Sequence, residues 1–199
     1  MKELVLASGN TGKLREIAAL LDDLGYQLHA QSEFGVGEVE ETGTTFVENA
    51  IIKARHAATH TGLPALADDS GIEVDALDGE PGVYSARFSG PGASDASNNA
   101  LLVEKLRDVP EERRTARYRA VIVLMRHARD PSPIICEGSW EGVIRLQPAG
   151  EGGFGYDPYF YLPELGCTGA ELSAAEKNRR SHRGQALAEL KRRLRALDV

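Results

Sequence analysis

The sequence predicts an α/β protein built on a mixed β-sheet. Three observations lead there. Strand-like apolar runs alternate with helical periodicities through the first half of the chain, the stretch from Thr115 to Leu146 reads as successive strands without a helix between them, and no repeat or linker interrupts the chain. One α/β domain spanning residues 1–199 is the economical reading.

Glu3 to Ser8 reads as a buried strand, Gly9 to Gly12 as the turn after it, and Leu14, Ile17, Ala18 and Leu21 as the apolar face of a helix. Gln27 to Ala30 is a short strand, followed by an acidic, glycine-containing loop from Glu33 to Gly43. Thr45 with Glu48 forms a capping-box pattern for a helix whose apolar stripe is Phe46, Ala50, Ala54, Ala57 and Ala58, and whose opposite stripe is Asn49, Ile52, Lys53 and His56. Gly62 ends that helix.

Pro64 to Ala67 reads as a strand, Asp68-Asp69-Ser70-Gly71 as a turn, and Ile72 to Leu77 as the next strand, which sets two carboxylates at a strand end. A glycine and proline-rich loop from Pro81 to Gly92 precedes a helix over Asp95 to Leu106. Thr115–Arg126, Ile134–Trp140 and Gly142–Leu146 then form a meander. Gly150 to Pro158 is a glycine-rich loop, Tyr159 to Leu162 a strand, and Ser173 with Glu176 opens a helical region that continues to the C-terminus.

Composition narrows the function classes. The 199 residues are 42% hydrophobic and 27% charged, which suits a folded domain rather than a disordered or fibrous chain. The apolar run Ala120–Met125 is far short of the roughly 20 residues that a membrane helix needs, and the N-terminus lacks the apolar core of a signal peptide. No membrane association and a cytoplasmic location are therefore expected. The 2 cysteines, Cys136 and Cys167, lack metal-ligand spacing and read as reduced and structural. A net charge of -7 disfavours a nucleic-acid polymer as partner. Eight basic residues and one acidic residue lie between Lys177 and Arg195, a local +7 that leaves -14 for the rest.

Four segments carry chemistry. Ser8-Gly9-Asn10-Thr11-Gly12-Lys13, between a strand and a helix, can bring backbone amides and a lysine to an anion, although a tight turn with a surface lysine has the same composition. It is not a P-loop, because Leu14 follows Lys13 where that motif has Ser or Thr. Glu40 and Glu41, with Asp68 and Asp69, supply hard oxygen donors suited to Mg²⁺, or else a solvated loop and a turn. Phe154-Gly155-Tyr156-Asp157 presents aromatics for stacking a nucleobase and a carboxylate for its edge, or aromatics that cover the core edge. Lys177 with His182 and Arg183 sets cations beside a donor pair able to read a carbonyl oxygen.

Taken with Glu40-Glu41-Thr42-Gly43, Phe46-Val47-Glu48-Asn49-Ala50, Lys53-Ala54, Ala67-Asp68-Asp69-Ser70-Gly71, Pro81-Gly82-Val83-Tyr84-Ser85-Ala86-Arg87 and Ser181-His182-Arg183-Gly184, these segments closely resemble the inosine/xanthosine triphosphate pyrophosphatase family nearly end to end. The resemblance implies an elongated mixed sheet flanked by helices, two lobes with the active-site cleft between them, and a homodimer. It also implies Mg²⁺-dependent hydrolysis of deaminated purine nucleoside triphosphates (ITP, dITP, XTP) to the monophosphate and pyrophosphate. In the family pattern Ser8 to Lys13 and Lys53 match phosphate-facing positions, Asp69 the catalytic acid/base, and Glu40 with Asp69 the metal positions. Ser70, Phe154, Gly155, Tyr156, Asp157, Lys177, His182 and Arg183 match substrate-binding positions. Two departures, Ser8 where threonine is common and Asn178-Arg179-Arg180 before the serine, leave those roles intact. Other readings of the same residues are a pyrophosphatase for other altered nucleotides, a nucleotide-binding regulator and a nucleic-acid-binding domain. The paired carboxylates disfavour the regulator and the charge balance disfavours the last.

Overall fold

The computed structural model describes residues 2–8, 14, 17, 18, 21 and 24–197. Seven strands form one mixed sheet in the order β2-β1-β3-β4-β5-β6-β7. They are β1 Lys2–Leu6, β2 Tyr26–Ala30, β3 Ala65–Val74, β4 Thr115–Met125, β5 Ile134–Ile144, β6 Phe160–Leu162 and β7 Cys167–Thr168. β1 pairs in parallel with β2 and β3, in a register that sets Val5 opposite His29 and Ala65, whereas β5, β6 and β7 pair antiparallel. Among the described residues the helices with both ends in view are α1 Phe46–Thr61, α2 Asp95–Leu106, α3 Ala174–Arg180 and α4 His182–Leu197. Leu14, Ile17, Ala18 and Leu21 are helical as expected, while Gly9–Lys13 lie outside the described residues.

The chain forms two compact units, one of residues 1–69, 120–137 and 185–199, the other of 70–119 and 138–184. The core of the first gathers Leu4, Leu6, Ile17, Leu21, Leu66, Ile122, Leu187 and Leu190. The core of the second gathers Ile72, Leu102, Tyr118, Trp140, Tyr156 and Phe160. Among the described residues no helix is long and apolar enough to cross a membrane.

Local rules set the helix ends. Thr45 caps α1 by accepting from the Glu48 amide while the Glu48 carboxylate answers the Thr45 amide, and Gly62 closes the helix at φ 70°. Ser173 likewise caps α3. The terminal helical region is broken, however. Ser181 is extended between α3 and α4, and its hydroxyl accepts from the Gly184 amide. A Cβ at Gly184 would lie 1.8 Å from the Asn178 carbonyl oxygen, so glycine there lets the first turn of α4 meet the end of α3.

Two expected turns are absent. β3 runs unbroken through Asp68-Asp69-Ser70-Gly71, so the carboxylates sit within a strand and not at its end. Turn propensity loses there because the strand has sheet neighbours on both sides and its flanking residues Leu66, Ala67, Ile72 and Val74 are fully buried. β5 similarly spans the two strands expected over Ile134–Leu146. A Cβ at Gly142 would stand 2.6 Å from the Phe160 ring, so this glycine serves close approach of β6, not a turn.

Candidate active site

Each unit assembles one group of the expected residues. In the first unit, Lys53 projects from α1 onto β3. Its ammonium donates to the Asp68 carbonyl at 2.9 Å and to Asp69 Oδ1 at 2.7 Å, and pairs with Glu41 Oε1 at 2.9 Å. Three N–H donors thus meet three acceptors. Asp69 is 8% exposed, and burial raises its carboxyl above the ordinary range. The Lys53 charge opposes that rise, while Glu41 and Asp68 add to it. For Lys53, burial works against the charged form, yet the Asp69 and Glu41 carboxylates outweigh it and lift the pKa.

Ser8 is half-buried just beyond β1, and Glu40 is exposed in the loop that brings Glu41 inward. Among the described residues no three His, Cys, Asp or Glu side chains are grouped so as to hold a metal ion, and the Glu41 and Asp69 carboxylates both meet the Lys53 ammonium. Glu41 and Asp69 nonetheless set two carboxylates on one ammonium, with the Asp68 carboxyl next to them on β3, all hard oxygen donors. Such a donor set fits a divalent cation of the Mg²⁺ type.

In the second unit, Arg183 is 7% exposed and its Nη2 donates to Ser70 Oγ at 3.1 Å. The adjacent His182 stacks on Tyr118 with ring centroids 4.8 Å apart and planes 8° from parallel. Asp157 is 1% exposed, pairs with Lys177, and accepts from the Phe154 amide at 2.8 Å. Lys177 also lies 4.4 Å from the centre of the Phe154 ring, whose residue is 63% exposed. Asp157 therefore organises Lys177 and Phe154, and its carboxylate is already engaged.

The loop around them is pinned from α2. Asp95 accepts from the Gly155 amide at 2.7 Å, Asn99 donates to the Gly155 carbonyl at 2.8 Å, and the buried Tyr156 hydroxyl donates to the Ser85 carbonyl at 2.7 Å. Gly153, at φ 71°, is required because a Cβ there would fall 2.2 Å from Asp157 Oδ2. Sequence reasoning missed Tyr118, Asp95 and Asn99, and left Glu41 open. Tyr118 was within reach, since it alternates with Ala116 and Ala120 along β4 and so had to face inward.

A family model described as the Ham1 family matches residues 4–193. A dITP/XTP pyrophosphatase of Xanthomonas campestris pv. campestris is 61% identical over 199 residues, covering 100% of both chains. Among solved structures, a HAM1 protein from Coxiella burnetii aligns with a TM-score of 0.96 at 52% identity, covering 98% of this chain and 100% of that one. The Ham1 protein of Staphylococcus aureus aligns with a TM-score of 0.91 at 41% identity, covering 98% and 99%. A match across nearly the whole sequence, at these identities, means that this chain belongs to the Ham1 family.

Proposed function

We propose that the chain hydrolyses deaminated purine nucleoside triphosphates, namely dITP, ITP and XTP, to the monophosphate and pyrophosphate, with residues 1–199 acting as one pyrophosphatase domain. The name of the Xanthomonas relative supports the substrate class. The observation that carries the chemistry is the Lys53, Glu41 and Asp69 cluster on β3, with a carboxyl raised by burial at its centre.

Asp69 is the catalytic base. It accepts a proton from a water whose oxygen attacks the α-phosphorus, the bond from that phosphorus to the bridging oxygen breaks, and pyrophosphate leaves with the electron pair. A base with a raised pKa is better matched to neutral pH than an ordinary aspartate. Bound Mg²⁺, held by Asp69 and Glu40 with Glu41 as the carboxylate that shares Lys53, would supply neutralisation of phosphate charge. Lys53 orients Asp69, and contact with a phosphate oxygen requires exchange of one of its three acceptors. Ser8, Gly9, Asn10, Thr11, Gly12 and Lys13 form the phosphate cradle.

The exposed face of Phe154 stacks on the base, supported by Gly155 and Tyr156, with Lys177 and Asp157 beneath. His182 and Arg183, next to Ser70, donate to the 6-oxo oxygen. A 6-amino group would leave such a buried donor without an acceptor, at about 1 to 3 kcal/mol or roughly 10 to 200-fold in rate. The enzyme functions in the cytoplasm as a homodimer, without a nucleic-acid or membrane partner. Incubation of dITP or XTP with Mg²⁺ and separation of the products tests this reading. Monophosphate plus pyrophosphate supports it, and diphosphate plus orthophosphate rejects it.

A further inference from the structure

One stripe of α1 works as a rack for the acidic loop. Asn49, Lys53 and His56 succeed each other one turn apart and face the same way. Each holds a different point of residues 37–43. Asn49 Oδ1 accepts from the Gly43 amide at 2.8 Å, Lys53 pairs with Glu41, and the His56 ring nitrogen lies 3.1 Å from the Gly37 carbonyl oxygen. The loop therefore runs along the helix in the reverse direction.

Asn49 is the unusual member. It is fully buried, and its amide nitrogen has no hydrogen-bond partner among the described residues. An unmet buried donor opposes folding, so stability alone does not favour an asparagine over an apolar residue on this stripe. Its oxygen, by contrast, is closely fitted. A Cβ at Gly43 would lie 2.7 Å from Asn49 Oδ1 and 2.6 Å from Glu48 Cβ, so only glycine lets the loop backbone reach the amide. Two residues upstream, Glu41 turns inward to the cation that also orients Asp69.

We propose that Asn49 is a positioning residue for the cation-binding carboxylates: its side-chain oxygen anchors the backbone at Gly43 so that Glu41 is delivered to Lys53 and Asp69. This rests on the reading of Asp69 as a cation ligand, with Glu41 acting on it through the Lys53 ammonium that the two share. It assigns Asn49 no contact with substrate.

The test is a Mg²⁺ titration of the melting temperature of the full chain without nucleotide, on wild type, Asn49→Ala and Asn49→Asp. Asn49→Ala is expected to melt within a few degrees of wild type in metal-free buffer yet to need tenfold or more Mg²⁺ for the same upward shift, the scale typical of groups that orient metal ligands. Asn49→Asp keeps an oxygen for the Gly43 amide and, although its buried carboxylate lowers the metal-free melting temperature, is expected to need a Mg²⁺ concentration within about threefold of wild type for the same upward shift. An Asn49→Ala curve superimposable on wild type, or an Asn49→Asp curve as weak as that of alanine, overturns the proposal. If Asn49→Ala does not fold, the aspartate variant alone decides by the same criterion. Loss of the Mg²⁺ shift in wild type itself removes the cation site and the anchoring role with it, a result distinct from a normal wild-type shift that Asn49→Ala leaves unchanged.

Discussion

Replacing Lys53 with methionine isolates the electrostatics of the β3 cluster, because the stem is nearly preserved and only the charge and its donors are lost. The ammonium lies 2.7 Å from Asp69 and 2.9 Å from Glu41. At an effective dielectric of about 20, each contact is worth roughly 6 kcal/mol of attraction before desolvation. Much of that is offset by the cost of taking the ions out of water, and leaving buried charge unpaired typically costs about 3 to 5 kcal/mol. Asp69 can relieve part of this by taking up a proton, since Lys53 is what holds its pKa down. A net loss of about 2 to 4 kcal/mol is expected, or roughly 5 to 15 °C in melting temperature for a chain of this length. The sign with pH follows. A carboxyl whose folded pKa is raised favours the native state at low pH and ceases to do so as pH rises through that folded value, so the deficit of the variant should grow as pH rises through that range. Mg²⁺ should restore the variant by more than it stabilises wild type, because Glu41 and Asp69 have lost the ammonium they shared. Thermal melts in chelator and in Mg²⁺, at acidic and neutral pH, supply the readout. If the variant melts with wild type in chelator, or if Mg²⁺ shifts both proteins equally, the charge argument is wrong.

Asp69→Asn should lower turnover of dITP by about 10² to 10⁴ or more, since it removes the base and weakens the cation site together. More than a tenth of wild-type turnover with metal bound would remove Asp69 from that role. Arg183→Ala is expected to narrow the ratio of ITP to ATP hydrolysis, and an unchanged ratio in a normally folded variant would take Arg183 out of base readout. Asp130 has a fully buried carboxylate that accepts from the Arg126 guanidinium at 2.6 and 2.8 Å and from the Arg126 and Ser132 amides at 3.0 Å, which together hold its pKa below the usual aspartate range. A depressed folded pKa adds stability above the unfolded value and loses it as pH falls through the folded one. Asp130→Asn should therefore lower the melting temperature at pH 7, by an amount that shrinks on acidification, and a constant difference across pH would refute the assignment.

Much of the frame was legible in the sequence because short-range rules decide it. The capping box at Thr45, the side-chain cap at Ser173 and the stop at Gly62 are local, and the helices begin or end there. β3 and β5 were split for the opposite reason. Asp68-Asp69-Ser70-Gly71 and Gly142 carry turn composition, but sheet neighbours and the Phe160 ring determine what those residues do, and neither is visible in a window of ten residues. Of the candidate site, the residue types with evident chemistry could be picked out: Asp69, Lys53, Lys177, Arg183. Most of the groups that hold them could not.

Those supporting groups share a physical form. Asn49 reaches Gly43, Asn98 reaches the Ser89 amide and Asn99 reaches Gly155, each from a helix to the backbone of a loop. All three side chains are at most 6% exposed. An asparagine offers both a donor and an acceptor without charge, so it can bind a backbone group in a dry setting where a carboxylate would carry a desolvation cost. Its partner is an amide or carbonyl that every residue possesses, and no spacing or composition in the sequence marks which one it will be. Loops that must hold a cation, a phosphate or an aromatic face in register can thus be fixed by residues that sequence patterns pass over. In this fold the proposed chemistry is written in charged and aromatic side chains, while much of its geometry depends on neutral ones.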